Sequence, residues 1–300
     1  MKKTIIAASI AAVAAAPAAF ADVSISGYAS AEFAEDQMQV NNDIVFKASE
    51  DLGNGMKATA KYHMFTDTNH GTGTVGAGGA TNVQVGDDVA GSDNSKTADL
   101  SITLSGDFGS LTAGRSEGFD EGVFAAFVNI DAAHDADLEG YFDGAAEVQK
   151  RDERLKYVSP SFNGVKIGIT TQDNGANKFE DKEYMVSYSA NGLMVMAGKS
   201  EEGTNETTNI AASYKMGDLE VRVANRELDQ NGVTTDGTFL GAKFTMGANT
   251  IAFGTVNADA GDANIFSVAH NFSKKTSVYA VVTDPDGAAS TTLIGLAQKF

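Results

Sequence analysis

Residues 183–227 read EYMVSYSANGLMVMAGKSEEGTNETTNIAASYKMGDLEVRVANRE. Within this stretch 183–190, 208–215 and 219–227 alternate apolar with polar or small residues at period two, the pattern of strands whose successive side chains point to opposite faces. The connections differ in length: SANG and KMGD are tight, whereas 201–206 is longer and polar. The same unit recurs along the chain, at 43–52, 56–65, 98–106 and 165–172. Short connections (EDLGNG, SGDFGS, SPSFNG, TMGAN, NFSKK) alternate with longer ones at 67–96, 116–149, 173–181, 228–236, 257–262 and 284–290. Counting both sets gives about sixteen antiparallel strands, with tight turns at one end and long loops at the other. The expected fold is all-β: a transmembrane antiparallel β-barrel.

The faces argue the same way. In MKATAKYH (56–63) one face carries Met56, Ala58, Ala60 and Tyr62, the other Lys57, Thr59, Lys61 and His63. A water-soluble sandwich needs an inner face heavy in Val, Ile, Leu and Phe. With 42% hydrophobic residues and three prolines, the chain can clothe one face of a sheet rather than fill a thick core. A soluble β-protein with half-polar strands is the alternative reading of the pattern.

The N-terminus, MKKTIIAASIAAVAAAPAAFAD, has Lys2 and Lys3, a short apolar run and Ala19-Phe20-Ala21 as a small-residue cleavage site, so 1–21 is expected to be a secretory signal and the mature chain to start near Asp22. No later run is long and apolar enough for a membrane helix. The formal charge is −18; without the leader, 20 basic side chains face 40 acidic ones. Such a surface repels phosphate, so nucleic acid is not an expected partner. Cysteine is absent, leaving a hydrogen-bonded sheet to supply stability.

Four stretches in order, IVFKASEDLGNGMKATAKY (44–62), FGSLTAGRSEGFD (108–120), LKYVSPSFNGVKIGI (155–169) and the terminal GLAQKF (295–300), resemble the general, non-specific porins of Gram-negative outer membranes. The resemblance implies a sixteen-stranded barrel, normally a homotrimer, through which small hydrophilic solutes and ions diffuse. It implies a long third loop folded into the lumen, a second long loop (67–96) that latches a neighbouring subunit, and a last strand that closes on the first. Phe300 would be part of the signal read by the barrel-assembly machinery, and outer-membrane lipids and lipopolysaccharide would surround the barrel. Tryptophan is absent, so aromatic girdles must come from Tyr and Phe.

The segment 116–149 follows the fifth strand and holds nine carboxylates without Lys or Arg. Its large apolar residues suit a loop packed on the barrel wall. Glu117, Asp120, Glu121, Asp131, Asp135, Asp137 and Glu139 are the candidate acidic side of a constriction. Lys47, Lys61, Arg115, Lys150, Arg154 and Lys156 are the candidate basic wall facing it, and opposed charges of this kind set pore selectivity. Strand parity after Gly114 leaves the direction of Arg115 open.

No catalytic constellation, cofactor or metal site is expected: the four histidines lack ligand spacing, and NADAGDAN (257–264) and TDPDG (283–287) lack the closing Glu of a calcium loop. The rival readings are a substrate-specific porin with a saturable site, a non-conducting structural or adhesive barrel, and a membrane-embedded hydrolase built from distant strands.

Overall fold

The computed structural model describes residues 22–34, 37–67, 99–130, 138, 141, 152–173 and 179–300. The leader, nearly all of the 67–96 loop and much of 116–149 lie outside them. The strands are β1 Asp22–Ala34, β2 Gln37–Gly53, β3 Met56–Asp67, β4 Leu100–Gly106, β5 Gly109–Ser116, β6 Asp152–Val158, β7 Val165–Asp173 and β8 Asp181–Ala190. They continue as β9 Leu193–Glu202, β10 Asn205–Met216, β11 Leu219–Gln230, β12 Val233–Met246, β13 Asn249–Ala258, β14 Ala263–Asn271, β15 Thr276–Pro285 and β16 Thr291–Lys299. Each pairs antiparallel with its sequence neighbours, and β1 pairs with β16, so the sheet is one closed barrel of sixteen strands.

Asn-Gly pairs make several of the tight turns. Asn54-Gly55, Asn163-Gly164, Asn191-Gly192 and Asn231-Gly232 all have positive φ at both residues, the conformation that matches a two-residue turn to the twist of its flanking strands. The last of these corrects the expected long connection at 228–236, because β11 and β12 stay paired up to Gln230 and Val233. The connections expected at 201–206, 257–262 and 284–290 are likewise only 203–204, 259–262 and 286–290. Polar strand ends read as loop in the sequence, yet a hairpin ladder can continue into water wherever its turn closes cleanly. The long connections at this end are 68–99 and 117–151, with 174–180 intermediate.

Side-chain alternation sorts the barrel into two faces. Ile25, Ile102, Ile167, Ile210, Leu240, Phe253 and Ile294 are exposed on the outer face. Ser30, Glu32, Asn41, Ser101, Arg154, Thr170 and Asn209 are buried on the inner one. An apolar exterior of this extent around a polar interior is a surface for lipid, not water. Tyr157, Tyr188, Tyr214 and Phe244 stand exposed on the outer face close to the short turns, where aromatic rings meet a membrane interface.

The C-terminus completes the closure. Phe300 N–H donates to Gly27 O (2.9 Å), and Gly27 N–H to Phe300 O (3.3 Å). A Cβ on Gly27 would stand 2.9 Å from Phe300 Cζ and collide with Asp43 O, so glycine is what lets the last ring lie on the first strand. Gly27→Leu is therefore expected to abolish the heat-modifiable folded form on refolding, read by gel mobility before and after boiling. Phe300→Ala should lower its yield more than Phe300→Leu does.

Candidate functional site

Past Ser116 the chain turns off the wall into a π-helical turn, Asp120–Phe124, that runs into a single α-helical turn, α1, Ala125–Val128. Phe119, Phe124, Phe127, Val128 and Ile130 are buried and cluster with Met196, Ala211, Ala224, Phe239 and Ile265 from the inner faces of β9–β12 and β14. The inner wall has room for them because it carries small residues there. Phe119 lies on Gly168, and Ile130 fills the space beside Gly241 and Gly254, where an added Cβ would stand 2.5 and 2.8 Å from it. Each apolar side chain buried in this way contributes about 1.5–3 kcal/mol. The described part of the segment is thus packed against the inner side of the barrel.

Charged groups fix it in place. Glu183 on β8 accepts hydrogen bonds from the backbone N–H of Phe119 and of Asp120 (3.1 Å) and forms an ion pair with Arg154 on β6. Arg154 Nε also donates to Ser116 O (3.0 Å), and Lys156 Nζ to Glu117 O (2.8 Å). Gly118 is required at this point, since any Cβ there would run into the Glu183 carboxylate. The Asp120 carboxylate itself accepts from Asn209 and pairs with Arg226, whose Nε donates to Asn209 Oδ1 (3.0 Å). The Arg226 guanidinium lies 4.5 Å from the centroid of Phe124, close enough for a cation–π contact. Arg222 Nη1 then takes the carbonyls of Ala126 (2.8 Å) and Asn129 (2.7 Å), with Glu220 on its Nε at 2.7 Å. These are free carbonyls at the C-terminal end of α1, where a cation is favourable.

The expected wall residues separate into two groups. Arg154 and Lys156 face inward on β6 and hold the segment. Lys47 and Lys61 stand directly opposite each other on the inner faces of β2 and β3. Lys61 is bound to Asp99 (2.6 Å), and beside it His63 Nε2 is 2.8 Å from Asp43. Arg115 is in register with Leu100 and Glu153, but Gly114 before it has φ +124°, and Arg115 Nε is buried without a hydrogen-bond partner. Of the carboxylates, that of Asp120 is placed by these contacts, whereas Glu117 is held through its backbone carbonyl. The side chain of Glu121, and Asp131, Asp135, Asp137, Glu139 and Lys150 altogether, lie outside the described residues.

Glu183, Asn209, Arg222 and Arg226 were not among the expected site residues. The signal was present in the opening stretch: Arg222, Ala224 and Arg226 share one face of 219–227, and Glu183 shares one with Met185. What sequence alone does not give is which face meets the loop.

The Gram-negative porin family matches residues 7–288. No curated protein sequence matches the chain. Among solved structures it is similar to Salmonella typhi OmpF in complex with daunomycin, at 14% identity and TM-score 0.71, covering 93% of this chain and 97% of that one. It is similar to a mutant of the Rh. blastica porin (15%, TM-score 0.68, covering 93% and 100%). An anion-selective porin from Comamonas acidovorans also shares the fold (17%, TM-score 0.64, covering 94% and 100%). With the family matched over nearly the whole length and the closed sixteen-stranded barrel it requires, the chain belongs to the Gram-negative porins, the β-barrel channels of the outer membrane.

Proposed function

We propose that this porin is a passive, water-filled channel for small hydrophilic solutes and ions, and that the 116–149 loop forms its constriction. The observation that carries the reading is the Glu183 carboxylate, which binds Arg154 and two loop amides at once. A carboxylate held by three donors is a rigid fixture, and with Asp120–Arg226 and Arg222 it ties the loop to the β6–β12 side of the wall. The open path then runs along the β1–β5 side. There Lys47 and Lys61 are the basic residues that meet solutes, opposite the carboxylates of the loop. Arg154, Lys156 and Arg226 act as anchors, because they bind the loop itself or the carboxylate that holds it. No turnover chemistry is needed.

The remaining parts of the reading rest on the family resemblance. The chain works as a homotrimer among outer-membrane lipids and lipopolysaccharide. Residues 1–21 are removed on export, the 67–96 loop latches a neighbouring subunit, and Phe300 is read by the assembly machinery.

Two measurements test it. Glu183→Gln removes the charge from one side of the buried Arg154 pair, a loss of about 3–5 kcal/mol when one partner of a buried pair is removed. Single-channel recordings should then show a freed loop as altered conductance and greater open-channel noise, whereas conductance and noise identical to wild type would remove the loop from the constriction. Neutralising Lys47 and Lys61 together should raise cation preference. A unit charge about 4 Å from an ion is worth about 1 kcal/mol even in water, so the permeability ratio should move several-fold in the reversal potential across a salt gradient. An unmoved reversal potential would take these lysines off the solute path.

A further inference from the structure

On the outer face of β12–β16, running from the short turns to mid-strand, lies a groove of about 460 Å³ lined by Met246, Ile251, Val268, Val278, Ala280 and Ile294, with Asn249 and His270 at its polar end. Its origin is in the register. Ile251, Val268, Ala280 and Ile294 form one cross-strand row, and alanine in a row of branched side chains leaves a hollow. Toward the turns the surface becomes polar in steps. His270 Nδ1 is 2.8 Å from Asn249 Oδ1, and its ring meets Phe272 edge-on at 5.0 Å. Next, Thr276 Oγ1 donates to Gln298 Oε1 (2.7 Å). The turn then exposes Lys274 and Lys275, and Lys299 N–H donates to Lys275 O at 2.7 Å.

Charge singles this region out. The chain has 40 acidic residues, yet 246–258, 263–283 and 290–300 contain no Asp or Glu. The terminal carboxylate of Phe300 is the one anionic group in these stretches. Depth singles it out too. Six residues separate Ala280 from Lys274; at about 3.3 Å each and a tilt of about 45°, that is about 14 Å along the membrane normal. Half of a ~30 Å hydrocarbon core is about 15 Å. With the lysines at headgroup level, the hollow at Ala280 falls near the midplane.

We propose that this face is a binding site for a single anionic phospholipid, with an acyl chain in the hollow at Ala280 and the phosphate held by Lys274 and Lys275, with His270 and Asn249 beneath it. The inference rests on the barrel being membrane-embedded, and it is independent of whether the loop constricts the pore.

Native mass spectrometry of the refolded barrel, released from detergent containing phosphatidylglycerol or phosphatidylcholine, tests it. One phosphatidylglycerol per barrel should be retained at several-fold higher occupancy than phosphatidylcholine. Lys274→Gln with Lys275→Gln should remove that preference, and Ala280→Phe should remove both lipids, while channels formed by the variants still conduct. Equal retention of the two lipids by the wild-type barrel would overturn the site, as would an unchanged preference in the lysine variant. The lysine variant changes only an exposed turn and decides the matter should Ala280→Phe fail to fold. Loss of conductance in the wild-type barrel would instead strike the channel reading.

Discussion

In hydrocarbon a backbone amide has no water to pair with, so a sheet that crosses a membrane must have no edge. That constraint governs the rest of this structure. It requires β1 to meet β16, and the meeting is made by a ladder that ends with the last residue of the chain on Gly27. It also explains why the chain does without cysteine: a closed ladder already ties the first strand to the last. The apolar exterior and polar interior follow once period-two alternation is wrapped onto a cylinder.

Closure creates the second problem, an interior too wide to be selective. On the proposed reading the answer is a segment whose described apolar residues pack on the inner wall, which is small where they land. Phe119 on Gly168 and Ile130 beside Gly241 and Gly254 are packing contacts of the kind found in a globular core, formed here on one side of the lumen. Buried charges then set the position of the segment. Glu183 with Arg154 and Asp120 with Arg226 cost desolvation, which is offset only because each carboxylate is also hydrogen-bonded by a further partner. Such pairs are better at specifying one arrangement than at adding stability. In this view the charges at the anchor and the charges that solutes meet are different residues on opposite sides of the barrel.

Much of the fold was legible because it depends on local signals. Alternation in 183–227 marked the strands and turn residues such as Asn191-Gly192 the hairpins, while closure of the last strand on the first was implied by the family resemblance of GLAQKF. Strand ends were less legible: Leu228 to Asp236 is polar enough to pass for a loop, yet Asn231-Gly232 keeps its ladder intact. The site was legible only in part. The parity of Lys47, Lys61, Arg154 and Lys156 puts them on the inner face, while their part in a constriction is a proposal; the large apolar residues of 116–149 suggested a loop against the wall, and those described, Phe119 to Ile130, pack there. Its partners Glu183, Arg222 and Arg226 lie 60 to 110 residues away in sequence, and only the curvature of the closed sheet brings them to the loop. Local pattern carries no record of that.

The central claim is that an open, water-filled path runs between the anchored loop and the β1–β5 wall. Planar-bilayer recording of the refolded mature chain tests it most directly. The account predicts discrete conductance steps with ohmic current that does not saturate as salt concentration rises. A heat-modifiable, fully folded barrel that passes no current would contradict it, and would mean that the inward segment plugs the lumen instead of narrowing it.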